Sequence, residues 1–169
     1  MHIAEEQRER HVLSITVTNE AGILARIAGM FTARGYNIDS LTVADITADH
    51  QISRITIVTS GDPRMIDQIM AQLDRLVPVH KVVDLTESGP FVERELALVK
   101  VAGTGEHRIE AMRIADIFRA KVVDTTTESF VFEITGPTEK IDTFITLMRE
   151  LGLVEVGRTG IIGMVRGKY

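Results

Sequence analysis

The chain has 169 residues, 44% of them hydrophobic and none of them cysteine, which is enough to build a globular core but excludes disulfides, thiolate metal sites and thiol nucleophiles. Its formal net charge is −5, acidic and basic residues are interleaved and only 5% of residues are aromatic, so no nucleic-acid partner is expected. No run approaches the roughly 18 apolar residues of a membrane span, and the charged start MHIAEEQRERH does not resemble a signal peptide, so we expect a cytoplasmic protein without membrane contact.

The first half predicts the order β-α-β-β-α-β. Apolar and polar residues alternate from 11 to 18, as in a half-buried strand. A helix with apolar residues three and four apart follows, and Gly35 closes it. The segments NIDSLTVADI and ISRITIVT predict a hairpin, Asp62-Pro63 opens a second helix, and VPVHKVVDL returns to strand. The residues predicted to face inward are Ile23, Leu24, Ile27, Ala28 and Phe31 in the first helix, and Ile66, Ile69, Met70, Leu73 and Leu76 in the second.

The second half repeats this order after a linker, ESGPFVER. LALVKVAG is predicted as a strand, residues 107–118 as a helix, AKVVDTTT and SFVFEITG as a hairpin, residues 138–150 as a helix and VEVGRTGII as the last strand. The inward residues predicted for these helices are Ile109, Met112, Ala115 and Phe118, then Ile141, Phe144, Ile145 and Met148.

The repeat predicts an α+β protein of two tandem ferredoxin-like βαββαβ domains. Right-handed crossovers leave both helices on one face of each four-stranded antiparallel sheet. The predicted boundaries are 1–86 for the first domain, with a core from about 11 to 85, 87–94 for the linker and 95–169 for the second domain. Units of roughly 75 residues have little core of their own, so we expect another subunit to bury the open faces and edge strands, giving at least a homodimer.

The turn between the first strand and the first helix, TNEAGILARI, has the composition of an anion site. A helix N-terminus offers backbone N–H groups without intrahelical partners and a partial positive charge, and Gly22 lets a ligand approach the backbone. Alternatively, Asn19 only shapes the turn and Gly22 is a tolerant loop residue. Local chemistry alone leaves both interpretations open.

The order of strand, N-E-A-G-x-L turn, helix, R-G-Y-N-I and hairpin resembles an ACT domain, a sensing module that binds amino acids where two copies pair. Beyond that fold, segments spread over both halves resemble the small regulatory subunit of acetolactate synthase, also called acetohydroxyacid synthase. These segments are RGYNIDSLTVA, SRITIVTSGD, LVPVHKVVDLTE, FVERELALVKV, DIFRAKVVD and GRTGIIGMVRG. The resemblance runs from about residue 10 almost to the end.

This resemblance implies a regulatory subunit and not an enzyme. In the family, a large catalytic subunit carries thiamine diphosphate, and FAD and Mg are expected there too, so no cofactor is expected in this chain. That subunit joins two 2-keto acids in branched-chain amino acid biosynthesis. The small subunit activates it and confers feedback inhibition, usually by valine. We hypothesise that valine acts by changing how two ACT domains pair, so that activation is lost.

The resemblance also implies an effector site at the ACT dimer interface. Amide groups of Gly22 and Ile23 would hold the valine carboxylate, Asn19 and Asn37 would accept from its ammonium, and apolar side chains would surround its side chain. The residues implied are Asn19, Gly22, Ile23 and Leu24 of one protomer, with Asn37 and Ile38 of its partner. Ile23 and Ala25 leave the preference among valine, leucine and isoleucine open.

Other features give weaker indications. The five histidines show no i, i+3 or i, i+4 pairs, so no metal site is predicted and they are expected on the surface. Asp45, Asp49 and His50 could catch a divalent ion, but a solvated loop is favoured. The turn GTGEHR, residues 103–108, is a minor candidate for a phosphate turn, although Arg108 replaces the third glycine of a dinucleotide motif.

Two other classes of function compete with a regulatory role. An enzyme on this fold would need a nucleophile with a base or two converging carboxylates, and neither is recognisable, so no catalytic residue is predicted. A free-standing ACT protein that senses amino acids for a different partner remains the alternative.

Overall fold

The computed structural model describes residues 8–168. Its strands are β1 (Glu9–Thr18), β2 (Ser40–Asp45), β3 (Ile52–Gly61), β4 (Val79–Asp84), β5 (Phe91–Ala102), β6 (Lys121–Thr125), β7 (Ser129–Gly136), β8 (Leu153–Arg158) and β9 (Ile162–Val165). Its helices are α1 (Ile23–Ala33), α2 (Pro63–Asp74), α3 (Glu106–Ile117) and α4 (Thr138–Arg149). None of these four helices combines the length and apolar character that crossing a bilayer would require.

The first compact unit contains an antiparallel sheet in the order β2-β3-β1-β4. Strand β1 is central and pairs with β3 from Glu9↔Gly61 to Thr18↔Ile52, and with β4 on its other side. Every second residue of β1 faces the helices, which is the period-two alternation read from the sequence. The buried residues that pack together are Leu13, Ile15, Val17, Ile23, Ile27, Phe31, Ile55, Ile57, Ile66, Ile69 and Leu73. Both helices therefore cover the same face of the sheet, as predicted.

The helix boundaries of this unit follow local chemistry. The carboxylate of Asp62 accepts a hydrogen bond of 2.8 Å from the backbone N–H of Met65 and caps α2, while Pro63 occupies its first turn. Helix α1 ends one residue before Arg34, and Gly35 follows with φ 69°, the left-handed conformation that closes many helices. Both predicted boundary signals are confirmed.

The second compact unit repeats the arrangement with the sheet order β6-β7-β5-β8. Its core residues are Ala97, Val99, Val101, Ala111, Ala115, Phe130, Phe132, Ile134, Ile141, Phe144, Ile145, Met148 and Leu151. The inward face predicted for α4 is confirmed. The prediction for α3 is wrong at Ile109, which is 63% exposed, because the small residues Ala111 and Ala115 occupy the contact with the sheet.

The end of the chain differs from the prediction. The segment VEVGRTGII does not form one strand: β8 ends at Arg158, and a separate strand β9 pairs with β5. Residues from Ile162 onward belong to the first unit, whereas the second unit is Glu93–Ile161. In this division the last residues of the predicted second domain, 95–169, pack with the first unit, and the predicted linker, 87–94, contains the start of β5.

Strand β9 also covers part of the sheet face that lacks helices. Gly163, Met164 and Val165 line a cavity of about 150 Å³ with residues of the first sheet. The sheet residues that line it are Ser14, Thr16, Arg54, Lys81, Val83 and Leu85. Some of the cover that we expected from another subunit is thus supplied by the chain itself.

Candidate functional site

The turn between β1 and α1 places a glycine at the start of the helix. Gly22 is the N-cap residue of α1 with φ 85° and ψ −4°, a left-handed conformation that glycine adopts without strain. No side chain caps this helix. A β-carbon added at Gly22 would meet no atom within 4 Å, so the space above the turn is open. No described atom therefore blocks the approach of a ligand to the backbone at Gly22.

The first turn of α1 leaves two backbone N–H groups available. The N–H of Ile23 donates to the carbonyl of Glu20 at 3.4 Å, and that of Arg26 donates to Gly22 at 3.0 Å. In the part of the chain that the structure describes, the N–H groups of Leu24 and Ala25 donate to no acceptor. The amide of Ile23, predicted to hold a carboxylate, is thus already engaged, whereas the amides of Leu24 and Ala25 are available.

The side chain of Asn19 is held with its oxygen free. Its Nδ2 donates to Oδ1 of Asp45 at 3.2 Å and to the carbonyl of His50 at 2.9 Å. Its backbone N–H donates to the carbonyl of Gln51 at 2.7 Å. Because both amide protons of the side chain are used, the oxygen of Asn19 remains as an acceptor beside the start of α1. That is the role predicted for it toward an ammonium group.

Asp45 organises this network, a role that the sequence analysis did not predict. Its carboxylate also accepts from Oγ of Ser53 at 2.8 Å and lies 2.9 Å from Nδ1 of His50. The hydrogen bond from Ser53, followed by that from His50, lowers the pKa of Asp45. The predicted hairpin contained a usable signal, because Asp45 and Ser53 are directly paired at the end of β2. Of the three residues considered as an ion-binding loop, Asp45 and His50 accept hydrogen bonds from Asn19.

The two apolar residues of the turn differ in exposure. Ile23 is 6% exposed and packs in the core of the first unit, whereas Leu24 is 38% exposed. The prediction that Ile23 forms a wall of the site is therefore not supported by its position. The prediction that Leu24 faces inward is therefore wrong, and Leu24 is the apolar side chain of the turn that a ligand can contact.

Asn37 and Ile38 lie beyond the other end of α1. The side chain of Asn37 donates to the carboxylate of Asp39, which leaves its amide oxygen free, and its carbonyl accepts from Thr59 Oγ1 at 2.7 Å. Ile38 is half-buried against the core. Helix α1 has 11 residues and is therefore about 16 Å long. A single chain thus does not bring these residues to Asn19 and Gly22.

The glycine turn at residues 103–108 does not have the features of a phosphate site. Glu106 places a negative charge in the first turn of α3. The guanidinium of Arg108 donates to the carbonyl of Thr126 at 3.0 Å and stacks on the ring of Phe130, 3.9 Å from its centroid. The carboxylate of Glu106 would repel an anion at this helix start, and the guanidinium of Arg108 is already bound to protein groups.

The histidines are not all on the surface as predicted. His50, His80 and His107 are exposed, and His2 lies outside the described residues. His11 is only 3% exposed, so the prediction is wrong for this residue. It lies on the helix-covered face of β1, where the alternation of the strand places it in line with Leu13.

Comparison with known proteins finds relatives over nearly the whole chain. Residues 13–81 match the family described as "AHAS small subunit-like ACT domain", and residues 94–167 match "Small subunit of acetolactate synthase". The "Probable acetolactate synthase small subunit" of Archaeoglobus fulgidus is 45% identical over 158 residues, which are 94% of this chain and 98% of that protein. The "Acetolactate synthase small subunit" of Haemophilus influenzae is 44% identical over 160 residues, covering 94% and 97%. A crystal structure of the small subunit from Thermotoga maritima superposes with a TM-score of 0.86 at 36% identity, covering 95% of this chain and 99% of that one.

Proposed function

The chain belongs to the family of acetolactate synthase small subunits, and from this premise we propose that it is a regulatory, non-catalytic subunit with a valine-binding ACT domain. It activates a large catalytic subunit that carries thiamine diphosphate, and it confers feedback inhibition by valine. The observation that carries this proposal is the uncapped, sterically open start of α1 beside the free oxygen of Asn19.

The chemistry of this turn suits an α-amino acid. The unpaired N–H groups of Leu24 and Ala25, together with the partial positive charge of the helix, attract a carboxylate. The side-chain oxygen of Asn19 accepts from an ammonium group. The exposed side chain of Leu24 offers an apolar contact to a short branched side chain. Carboxylate, ammonium and aliphatic group thus each meet a complementary partner.

The separation of the two half-sites supports a site made by two protomers. Asn37 and Ile38 lie at the opposite end of α1 from Asn19 within one chain, so they reach the same ligand only from a second copy. A ligand held by both copies favours the dimer arrangement that brings the half-sites together. Regulation then follows from the difference in affinity between two arrangements, and valine changes activity only through that difference.

Calorimetric titration of the purified chain tests the binding step. We expect valine to bind with an affinity that falls at least about tenfold in Asn19→Ala, because the ammonium loses a charge-assisted hydrogen bond. Thr127→Ala, in an exposed turn of the second unit, is the matched control and should bind like the unmodified chain. Leucine and isoleucine, titrated in parallel, define the preference. Equal valine affinity in both variants would exclude the site.

A second experiment tests the regulatory role. The chain is mixed with the large thiamine-diphosphate-dependent subunit of the same source, and acetolactate formation from pyruvate is measured with and without valine. We expect higher activity with the chain than without it, and loss of that gain when valine is added. Formation of acetolactate by the chain alone would refute the non-catalytic assignment. Valine binding without any effect on the large subunit would favour a sensor for another partner.

A further inference from the structure

Three ligand-type side chains converge at one corner of the first sheet, away from the effector turn. Glu9 and His11 are two residues apart on β1, so their side chains lie on the same face. Glu87 follows β4, the strand adjacent to β1. One donor atom from each of the three side chains lies within 4.8 Å of the others.

His11 is oriented as metal-binding histidines are. Its side chain is 4% exposed, and Nδ1 lies 2.7 Å from Oδ2 of Asp84. Asp84 is itself fixed, because its Oδ1 accepts from the backbone N–H of Thr86 at 3.0 Å. A carboxylate on one ring nitrogen fixes the tautomer and leaves the lone pair of the other nitrogen for a metal.

The other ring nitrogen has no protein partner. Nε2 of His11 is shielded from solvent and makes no hydrogen bond with any described residue. A buried polar atom left unsatisfied costs roughly 1–3 kcal/mol, so a partner for this nitrogen is expected. The side chains of Glu9 and Glu87 are exposed, and their carboxylates form no ion pair or hydrogen bond within residues 8–168. Both carboxylates are thus available to the same partner.

We propose that Glu9, His11 and Glu87 bind a first-row divalent cation such as Zn²⁺. Nε2 of His11 and one oxygen of each glutamate are the ligands, water completes the coordination, and Asp84 positions the imidazole. One imidazole and two carboxylates form a donor set that suits zinc and its neighbours. Bonds of about 2.0–2.2 Å place donor atoms about 3–4 Å apart, and the exposed glutamate side chains reach this spacing by rotamer change. The ion ties β1 to the segment that follows β4.

Titration of the full chain, first stripped with a chelator that is then removed, tests the proposal. We expect one Zn²⁺ per chain by calorimetry, and with Co²⁺ a visible absorption band typical of low-coordinate cobalt. Glu87→Gln and Glu9→Gln should each weaken Zn²⁺ binding at least about tenfold, since each removes a ligand. These residues are exposed, so the variants keep the fold, which circular dichroism checks. Glu128→Gln, an exposed glutamate in the turn before β7, is the matched control and should bind as the unmodified chain does.

Asp84→Asn separates positioning from ligation. The amide is a weaker acceptor for Nδ1–H, so the affinity for Zn²⁺ should fall by about 10- to 100-fold while the stoichiometry of one is kept. Zn²⁺ should also raise the melting temperature of the chain and of Glu128→Gln, but not that of Glu87→Gln. Binding that is equally strong in both ligand variants, or no binding of either metal at millimolar concentration, would overturn the proposal. In that event the buried nitrogen of His11 has another partner.

Discussion

The side-chain amide of Asn19 donates to the carboxylate of Asp45 across 3.2 Å, joining the turn before α1 to the end of β2. Asp45 is fixed in turn by Ser53 on the paired strand. The acceptor proposed to meet the valine ammonium is therefore oriented by a residue that need not touch the ligand. Orientation before binding lowers the entropy lost on binding, so the network affects affinity.

Replacing Asp45 with alanine should weaken valine binding without removing a direct contact. Asn19 loses one of its two side-chain hydrogen bonds, and its amide becomes free to rotate. Since one such bond contributes about 1 kcal/mol, affinity should fall roughly fivefold in calorimetric titration. Asp67→Ala, at an exposed site on α2, provides the control. Unchanged affinity in Asp45→Ala would mean that Asn19 does not depend on this network.

Replacing Gly22 with aspartate should abolish valine inhibition while activation persists. The new carboxylate occupies the open space where the carboxylate of the ligand is proposed to bind. Gly22→Ala separates charge from backbone strain, because both variants pay about 1–2 kcal/mol for a left-handed φ. The readout is acetolactate formation with the catalytic subunit over a valine titration. Full sensitivity to valine in the aspartate variant would place the effector elsewhere.

Replacing Arg158 with methionine should destabilise the second unit. Nε and Nη2 of Arg158 donate to the two oxygens of Glu95 at 2.7 and 2.9 Å. The side chain of Glu95 is 3% exposed and that of Arg158 is 34% exposed. The hydrogen bonds that Arg158 donates to Glu95 raise the pKa of Arg158. Loss of the partner leaves a buried carboxylate unpaired, which should lower the free energy of unfolding by about 2–3 kcal/mol.

An exposed ion pair in the same sheet is the control for this experiment. Lys100 and Glu155 lie 3.0 Å apart, and their side chains are 43% and 70% exposed. Lys100→Met should therefore change stability in urea by less than about 1 kcal/mol. Similar losses in the two variants would show that burial does not distinguish the pairs.

Gly152 should tolerate no side chain. Its φ is 100°, and a β-carbon would lie 2.0 Å from the carbonyl oxygen of Ala102 in the neighbouring strand. We expect Gly152→Ala to cost at least about 3 kcal/mol in the free energy of unfolding. Gly157 lies on β8 with open space around it, so Gly157→Ala should have a small effect in the same denaturant titration. A mild effect at Gly152 would mean that the turn before β8 can shift.

Local patterns were sufficient for most of the fold. The alternation in β1, the Asp62-Pro63 helix start and the stripe on α4 each depend on neighbouring residues, and each matches the structure. The buried face of α3 was harder to predict, because Ala111 and Ala115, and not the larger Ile109, contact the sheet. Periodicity identifies apolar positions, but packing against a partner element decides which of them are buried.

Long-range pairing explains what the sequence did not reveal about the sites. Gly22 and Asn19 are recognisable from the turn and from the family resemblance. The support of Asn19 by Asp45 depends on how β2 pairs with β3. The convergence of His11 with Glu87 joins positions 76 residues apart by the difference of their numbers. Neither contact can be predicted from a short stretch of sequence, since each depends on the register of strands that are distant in the chain.

Strand β9 belongs to the first unit but follows the whole second unit in the sequence. It is therefore synthesised after the second unit, although it packs with the first. Domains generally fold from the N-terminus as they leave the ribosome. Here residues up to Val92 emerge early, yet their unit is finished only when the stretch from Ile162 onward follows Glu93–Ile161. A nascent chain therefore carries the first unit without β9 throughout translation of the intervening segment. A recombinant fragment that stops at Val92 would likewise lack β9, and the part of the sheet face that β9 covers would be exposed.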